Sequence, residues 1–172
     1  HPLVKAVGFV GSTKVARLVY QRGTQLGKRV LALGGAKNHI VLLPDADPAL
    51  SAVGTSDSFT GCAGQRCMAI SVIVAVGNVG DALLDAIKAR IAKIKVGPGL
   101  EEGSEMGPLI TREQRDRVGT FLDSAREEGA TVVVDGRQHA SAKGDGFFIG
   151  ASLIDNVKPG MKAYDYEIFG PV

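Results

Sequence analysis

With 172 residues, 45 % of them hydrophobic and 22 % charged, the chain is long enough to bury a core and too apolar for a disordered tail. Twenty Lys and Arg against eighteen Asp and Glu leave a formal net charge of +2 with the two signs interspersed, so neither nucleic acid nor a membrane is expected as a partner. No apolar run approaches the roughly 18 residues a membrane-spanning helix needs, His1-Pro2-Leu3-Val4-Lys5 lacks signal-peptide architecture, and two cysteines at 62 and 67 suit neither a disulfide framework nor a zinc site. These features predict a soluble protein of a reducing compartment, without a metal.

Val4 to Val10 reads as a strand already under way at the start of the chain. It breaks at Gly11-Ser12-Thr13, where Ser12 is a good N-cap for a helix carrying Val15, Leu18, Val19 and Leu26 on one face, and Gly27 closes that helix. Val30 to Leu33 is the next strand, followed by the Gly34-Gly35 turn and a third apolar run, Ile40 to Leu43. Asp47-Pro48 then starts a helix, a capping carboxylate followed by proline at the first helical position, and the helix is expected to run toward Phe59. Gly61 and Gly64 loosen the chain around the two cysteines.

Ile70 to Val76 is rich in β-branched residues and reads as a buried strand; Asp81 to Lys95 spaces Leu84, Ile87, Ile91 and Ile94 as a helix. After a glycine-rich loop from Gly97 to Gly107, Thr111-Arg112-Glu113-Gln114 fits a capping box that opens a helix ending near Gly129. Thr131 to Val134 is a further strand, and the irregular remainder is expected to hold strands near Phe147 and Leu153. Alternating strands and helices make the class α/β with a mostly parallel sheet. Phe169-Gly170-Pro171-Val172 stops without a helix cap or polar tail, so an internal fragment of a longer protein is expected.

Cys67, in Gly64-Gln65-Arg66-Cys67-Met68, follows a flexible approach, has a cationic neighbour in Arg66 and precedes a buried strand. A cysteine so placed can stand at a crevice, where a nearby positive charge favours the thiolate nucleophile; the competing reading is a small buried hydrophobe. Phe9-Val10-Gly11-Ser12-Thr13 resembles the aldehyde dehydrogenase segment that runs from a strand into a helix beside the cofactor pyrophosphate. Leu33-Gly34-Gly35 with Lys37-Asn38 resembles that family's glycine pair before the catalytic domain, and Glu167-Ile168-Phe169-Gly170-Pro171 its late cofactor-facing motif. The motifs stand in the family's order around Cys67, so the resemblance covers essentially the whole chain.

The resemblance implies the aldehyde dehydrogenase fold, with residues 1–34 ending the NAD-binding domain and 35–172 belonging to a catalytic domain incomplete at its C-terminal end. It implies NAD as cofactor, a small aldehyde as substrate, a homo-oligomer for the full-length protein, and a cytoplasmic location, or the mitochondrial matrix in a eukaryote. Cys67 is then the nucleophile. Gly11 permits close backbone approach and the amides after Ser12 offer an anion site, although Ser12 is also simply an N-cap. Glu167 resembles the acceptor of the nicotinamide-ribose hydroxyls, with Phe169 packing near the cofactor; otherwise they are a surface carboxylate and a core aromatic.

Within the family, Gly35-Ala36-Lys37-Asn38-His39 and Gly64-Gln65-Arg66-Cys67-Met68-Ala69 resemble the methylmalonate-semialdehyde dehydrogenase type most. Where most members carry a glutamate that activates water to hydrolyse the thioester, this sequence has Ala32 or, in an ungapped register, Leu33. Without that base hydrolysis slows by something like 10²–10⁴-fold, and the resemblance implies acyl transfer to coenzyme A, with loss of carbon dioxide in the methylmalonate case. Arg66 is a candidate to hold a substrate carboxylate, or else an exposed or structurally paired arginine. His39 and Cys62 are read as packing or turn residues. A hydrolytic aldehyde dehydrogenase and a non-catalytic α/β domain are the competing readings.

Overall fold

The capped helices and apolar runs fold into six strands and five α-helices, described over residues 1–172 in a computed structural model. The backbone divides into two units, His1–Ala36 and Lys37–Val172; the sequence reading put this boundary after Gly34.

In the first unit, β1 (Ala6–Val10) and β2 (Arg29–Leu33) pair in parallel, Val7 opposite Val30, with α1 (Thr13–Gln25) as the crossover. The Gly11 N–H donates to the Leu33 carbonyl at 3.1 Å and extends the ladder by one rung. α1 seats on its smallest residues: Ala16 and Gly23 are buried, and a Cβ at Gly23 would collide with the Val30 side chain. The predicted apolar face therefore turns outward in part, with Leu18 64 % exposed and Val15 and Leu26 also exposed.

In the second unit β3 (Asn38–Leu42) and β4 (Ile70–Ala75) are parallel, whereas β5 (Thr131–Val134) and β6 (Leu153–Asp155) are antiparallel. α2 (Pro48–Thr60) starts as read, with the Asp47 carboxylate accepting from the amides of Ala49 and Leu50 at 2.8 and 3.0 Å. It packs on α3 (Gly80–Ile91) and buries Ala52, Thr55 and Phe59. α3 is shorter than expected: the last turn tightens, the amides of Lys93 and Ile94 reaching Arg90 and Ile91, and Ile94 is buried beyond its end.

The core gathers Phe59, Leu83, Ile87, Met106, Val118, Phe121, Ile149 and Ile168 under α4 (Arg112–Glu127) and a short α5 (Lys162–Asp165). Each such side chain, fully removed from water, contributes about 1.5–3 kcal/mol before chain entropy is counted. The expected strand near Phe147 does not form. Gly144, Gly146 and Gly150 interrupt that stretch, Phe147 retains one backbone bond from the Leu109 amide, and Ile149 turns into the core. No helix is long and apolar enough to cross a membrane.

Candidate active site

The helix α2 delivers the chain to the cysteine through a turn that runs against ordinary backbone preference. Cys62, Ala63 and Gly64 all have φ between 51° and 69°, in the left-handed region. For a non-glycine residue that conformation costs roughly 1–2 kcal/mol, so something must hold it. Gly64 is one support: its backbone lies so close to the carbonyls of Phe59 and Gly170 that a Cβ could not be placed there. Gln65 is another, its Oε1 accepting from the Ile110 amide at 3.0 Å.

Cys67 then sits in the turn Arg66–Ala69, closed by the Ala69 amide donating to the Arg66 carbonyl at 3.1 Å. Asn38, at the start of β3, clamps this turn: its Nδ2 donates to the carbonyls of Cys67 and Ala69, both at 2.8 Å. Both acceptors are carbonyls, so only the NH₂ end of the amide fits. The Cys67 carbonyl is thereby occupied, its N–H has no partner in the chain, and its side chain is exposed. Arg66 folds back instead of pairing with a carboxylate. Its Nη2 donates to the Asp57 and Ser58 carbonyls at 3.2 and 2.8 Å, capping the end of α2, and the absence of a Cβ at Gly61 leaves it room.

The segment Tyr166–Phe169 has four successive carbonyls held by side chains. Lys37 Nζ donates to Tyr166 O at 2.9 Å and Arg117 Nη2 to Glu167 O at 2.8 Å. Arg117 Nη1 and Gln114 Nε2 both reach Ile168 O, and Gln114 Nε2 also reaches Phe169 O at 2.7 Å. Phe169 itself is held at φ 56°. Of the four non-glycine residues with positive φ, three belong to the two segments that meet where Gly64 abuts Gly170. Strain of this kind concentrates at sites where geometry is imposed for a purpose.

At that junction a small cleft is lined by Asn38, Arg66, Ala69, Glu167 and Phe169. The structure therefore brings Arg66, Glu167 and Phe169 together and sets Cys67 on the turn between two of the lining residues. The Glu167 carboxylate is half-buried and makes no hydrogen bond or ion pair in the chain. Lys37 beside it is half-buried as well; burial pulls its ammonium down to about 8, against the opposing effect of the Glu167 carboxylate. A larger cavity of about 520 Å³, walled by β4, Leu83, Ile87 and residues 152–157, contains neither cysteine and none of the predicted site residues.

Gly11 and Ser12 lie in the first unit. The Ser12 hydroxyl accepts from the Val15 amide at 3.5 Å, a long contact that leaves the α1 amides weakly capped. Gly11 is approached by its own neighbour, since a Cβ there would fall 2.6 Å from the Phe9 ring. Ala32 and Leu33 are adjacent in β2 and so point to opposite faces of the strand. Cys62 is exposed and left-handed, a turn residue and not a core one; His39 packs edge-on against Tyr164 with ring centroids 5.8 Å apart. Sequence reasoning missed Asn38, Gln114 and Lys37 as holders of the site. Gln114 fits a capping box by sequence, but only the Thr111 half forms, at 3.1 Å.

The whole chain, residues 1–172, matches the aldehyde dehydrogenase family. It is 49 % identical over 173 residues to a malonate-semialdehyde dehydrogenase of Pseudomonas aeruginosa, covering 99 % of this chain and 35 % of the relative. To malonate-semialdehyde dehydrogenase 2 of Geobacillus thermodenitrificans it is 44 % identical, covering 100 % of this chain and 36 % of the relative. Among solved structures it superposes with a TM-score of 0.94 on a putative methylmalonate-semialdehyde dehydrogenase from Sinorhizobium meliloti complexed with NAD, at 44 % identity over 99 % of this chain and 35 % of that one. The chain thus spans about a third of the length of the curated relatives it matches.

Proposed function

The chain belongs to the aldehyde dehydrogenase family, and from that premise we propose that its protein oxidises a small aldehyde with NAD through a thioester on Cys67. The proposed substrate is malonate or methylmalonate semialdehyde, with coenzyme A as acyl acceptor. On this reading residues 1–34 end the NAD-binding domain and 35–172 belong to the catalytic domain. The observation that carries it is the Cys67 turn: an exposed thiol, a carbonyl occupied by Asn38 and a backbone N–H left free, beside a cleft lined by a guanidinium and an unpaired carboxylate.

The Cys67 thiolate attacks the aldehyde carbon, forming a C–S bond as the carbonyl π bond opens to an oxyanion, for which the unpartnered Cys67 N–H is a donor. Because Asn38 fixes the turn, that N–H is preorganised and does not have to compete with a local fold. Arg66 holds the substrate carboxylate while its Nη2 remains on the α2 carbonyls. NAD, when bound, supplies the hydride acceptor. In the second unit Glu167 has an unoccupied carboxylate for ribose hydroxyls and Phe169 flanks it; in the first, the weakly capped amides that open α1 after Ser12 would suit a phosphate, and Gly11, whose own N–H is committed to Leu33 O, would serve only through its lack of a side chain.

Loss of hydride leaves a thioester on Cys67. Neither Ala32 nor Leu33 can deprotonate water, so the thiolate of coenzyme A attacks the thioester carbonyl and releases the Cys67 thiolate. Rapid mixing of the full-length protein with semialdehyde and NAD tests this. A burst of NADH close to one per active cysteine is expected, then slow turnover that coenzyme A accelerates without changing the burst. Fast, burst-free turnover to the free acid that ignores coenzyme A would establish the hydrolytic reading instead.

A further inference from the structure

Glu167 is the acceptor in the reading above, yet nothing in the chain bonds to its carboxylate. A half-buried carboxylate without donors turns to whatever water or cation it can find, and it cannot by itself stay aimed at a ligand. Lys37, which enters from the start of the second unit 130 residues earlier in sequence, holds the backbone next to Glu167. Lys37 Nζ spends one of its three N–H donors on Tyr166 O, 2.9 Å away, so it is anchored to the residue immediately before Glu167.

Resting on the reading of Glu167 as the ribose acceptor, we propose that Lys37 is the positioning residue for that carboxylate: through its bond to the Tyr166 carbonyl it fixes the backbone that carries Glu167, and so sets where the carboxylate stands for NAD. The remaining groups in these surroundings serve other tasks. Arg117 is committed to the Glu167 and Ile168 carbonyls, and Arg66, across the cleft, to the end of α2. His39 turns its Nδ1 to the Lys37 carbonyl and its ring to Tyr164.

Burial brings the Lys37 ammonium down to about 8, so the support is present at neutral pH and lost as pH rises through that value. NAD affinity of the full-length protein, measured by calorimetry from pH 6.5 to 9.5, reads this directly without any substitution. The dissociation constant of the wild type is expected to rise by about three- to tenfold across pH 8, because the bond to the Tyr166 carbonyl loses its charge assistance when the ammonium deprotonates. Lys37→Met should be weak and level throughout, and Lys37→Arg should stay tight to the top of the range, because the guanidinium does not titrate there. A pH step that persists in Lys37→Met would come from another group and overturn the proposal. A wild-type affinity level with pH, or Lys37→Met matching the wild type at pH 7, overturns the proposal. Glu167→Gln separates the two layers: if it leaves affinity intact, the ribose reading falls, and if it weakens binding while Lys37→Met does not, only the role of Lys37 falls.

Discussion

Replacing Gln114 with alanine removes two hydrogen bonds at once, from its Nε2 to Ile168 O at 3.0 Å and to Phe169 O at 2.7 Å. The two losses are unequal. Ile168 O keeps Arg117, whereas Phe169 O has no other donor. At about 0.5–1.5 kcal/mol per bond, and less for an exposed carbonyl that water can reach, the global cost should be about 1 kcal/mol. The left-handed Phe169, at φ 56°, stores strain of about the same size, roughly 1–3 kcal/mol. Removing the clamp therefore tips a local balance more than a global one, and the segment should loosen while the core stays folded.

Gln114→Glu sharpens the test, since it keeps the side chain's length but sets a carboxylate against two carbonyl oxygens, and it should be worse than alanine. Urea unfolding and amide hydrogen exchange over residues 166–170 read the two levels separately. The expected result is a small shift in midpoint with a large gain in exchange at the segment, greater for glutamate than for alanine. Unchanged exchange in both variants would show that Gln114 does not hold the motif.

Gly64→Ala should lower stability by about 2 kcal/mol or more, because the new Cβ meets backbone and not a yielding side chain, at Phe59 O and Gly170 O, in a residue at φ 69°; a urea midpoint equal to wild type would contradict that packing. Asp135 is 9 % exposed at its side chain and bonded to Arg137 at 2.7 Å and Arg126 at 2.8 Å; Arg137 first, then Arg126, hold its carboxyl far below the ordinary carboxylate range. Since its folded pKa is depressed, its contribution is present above the ordinary value near 4 and lost as pH falls further. Asp135→Asn should cost about 1.5–3 kcal/mol at pH 7 and progressively less below pH 4, as followed by urea unfolding; a difference independent of pH would refute the pairing.

Much of this was legible in the residues. Asp47-Pro48 and Thr111 begin helices because a side-chain acceptor meets an unbonded amide, and that chemistry is local. The parallel β3–β4 pair follows from apolar runs joined by a helix. What stayed hidden depends on which segments meet. Cys62 and Ala63 carry no signature of left-handed backbone, and the turn holds only because Gly64 is pressed between two carbonyls. Gln114 satisfies a capping pattern by spelling but spends its amide on carbonyls more than fifty residues away. Arg66 looked ready for a carboxylate and is partly engaged in capping α2. Cys62 and Cys67 are both exposed, so accessibility alone does not single out the nucleophile.

Trypsin separates them, because cleavage after Arg66 places Cys62 in the peptide Asn38–Arg66 and Cys67 in Cys67–Lys88. The full-length protein, incubated with NAD and the semialdehyde in the absence of coenzyme A, quenched in acid and digested, should show the acyl mass on the Cys67 peptide at close to one per active site. That mass should disappear when coenzyme A is added before the quench. An acyl group on the Cys62 peptide, or none on either while NADH accumulates, would contradict the assignment of Cys67 as the residue that carries the reaction.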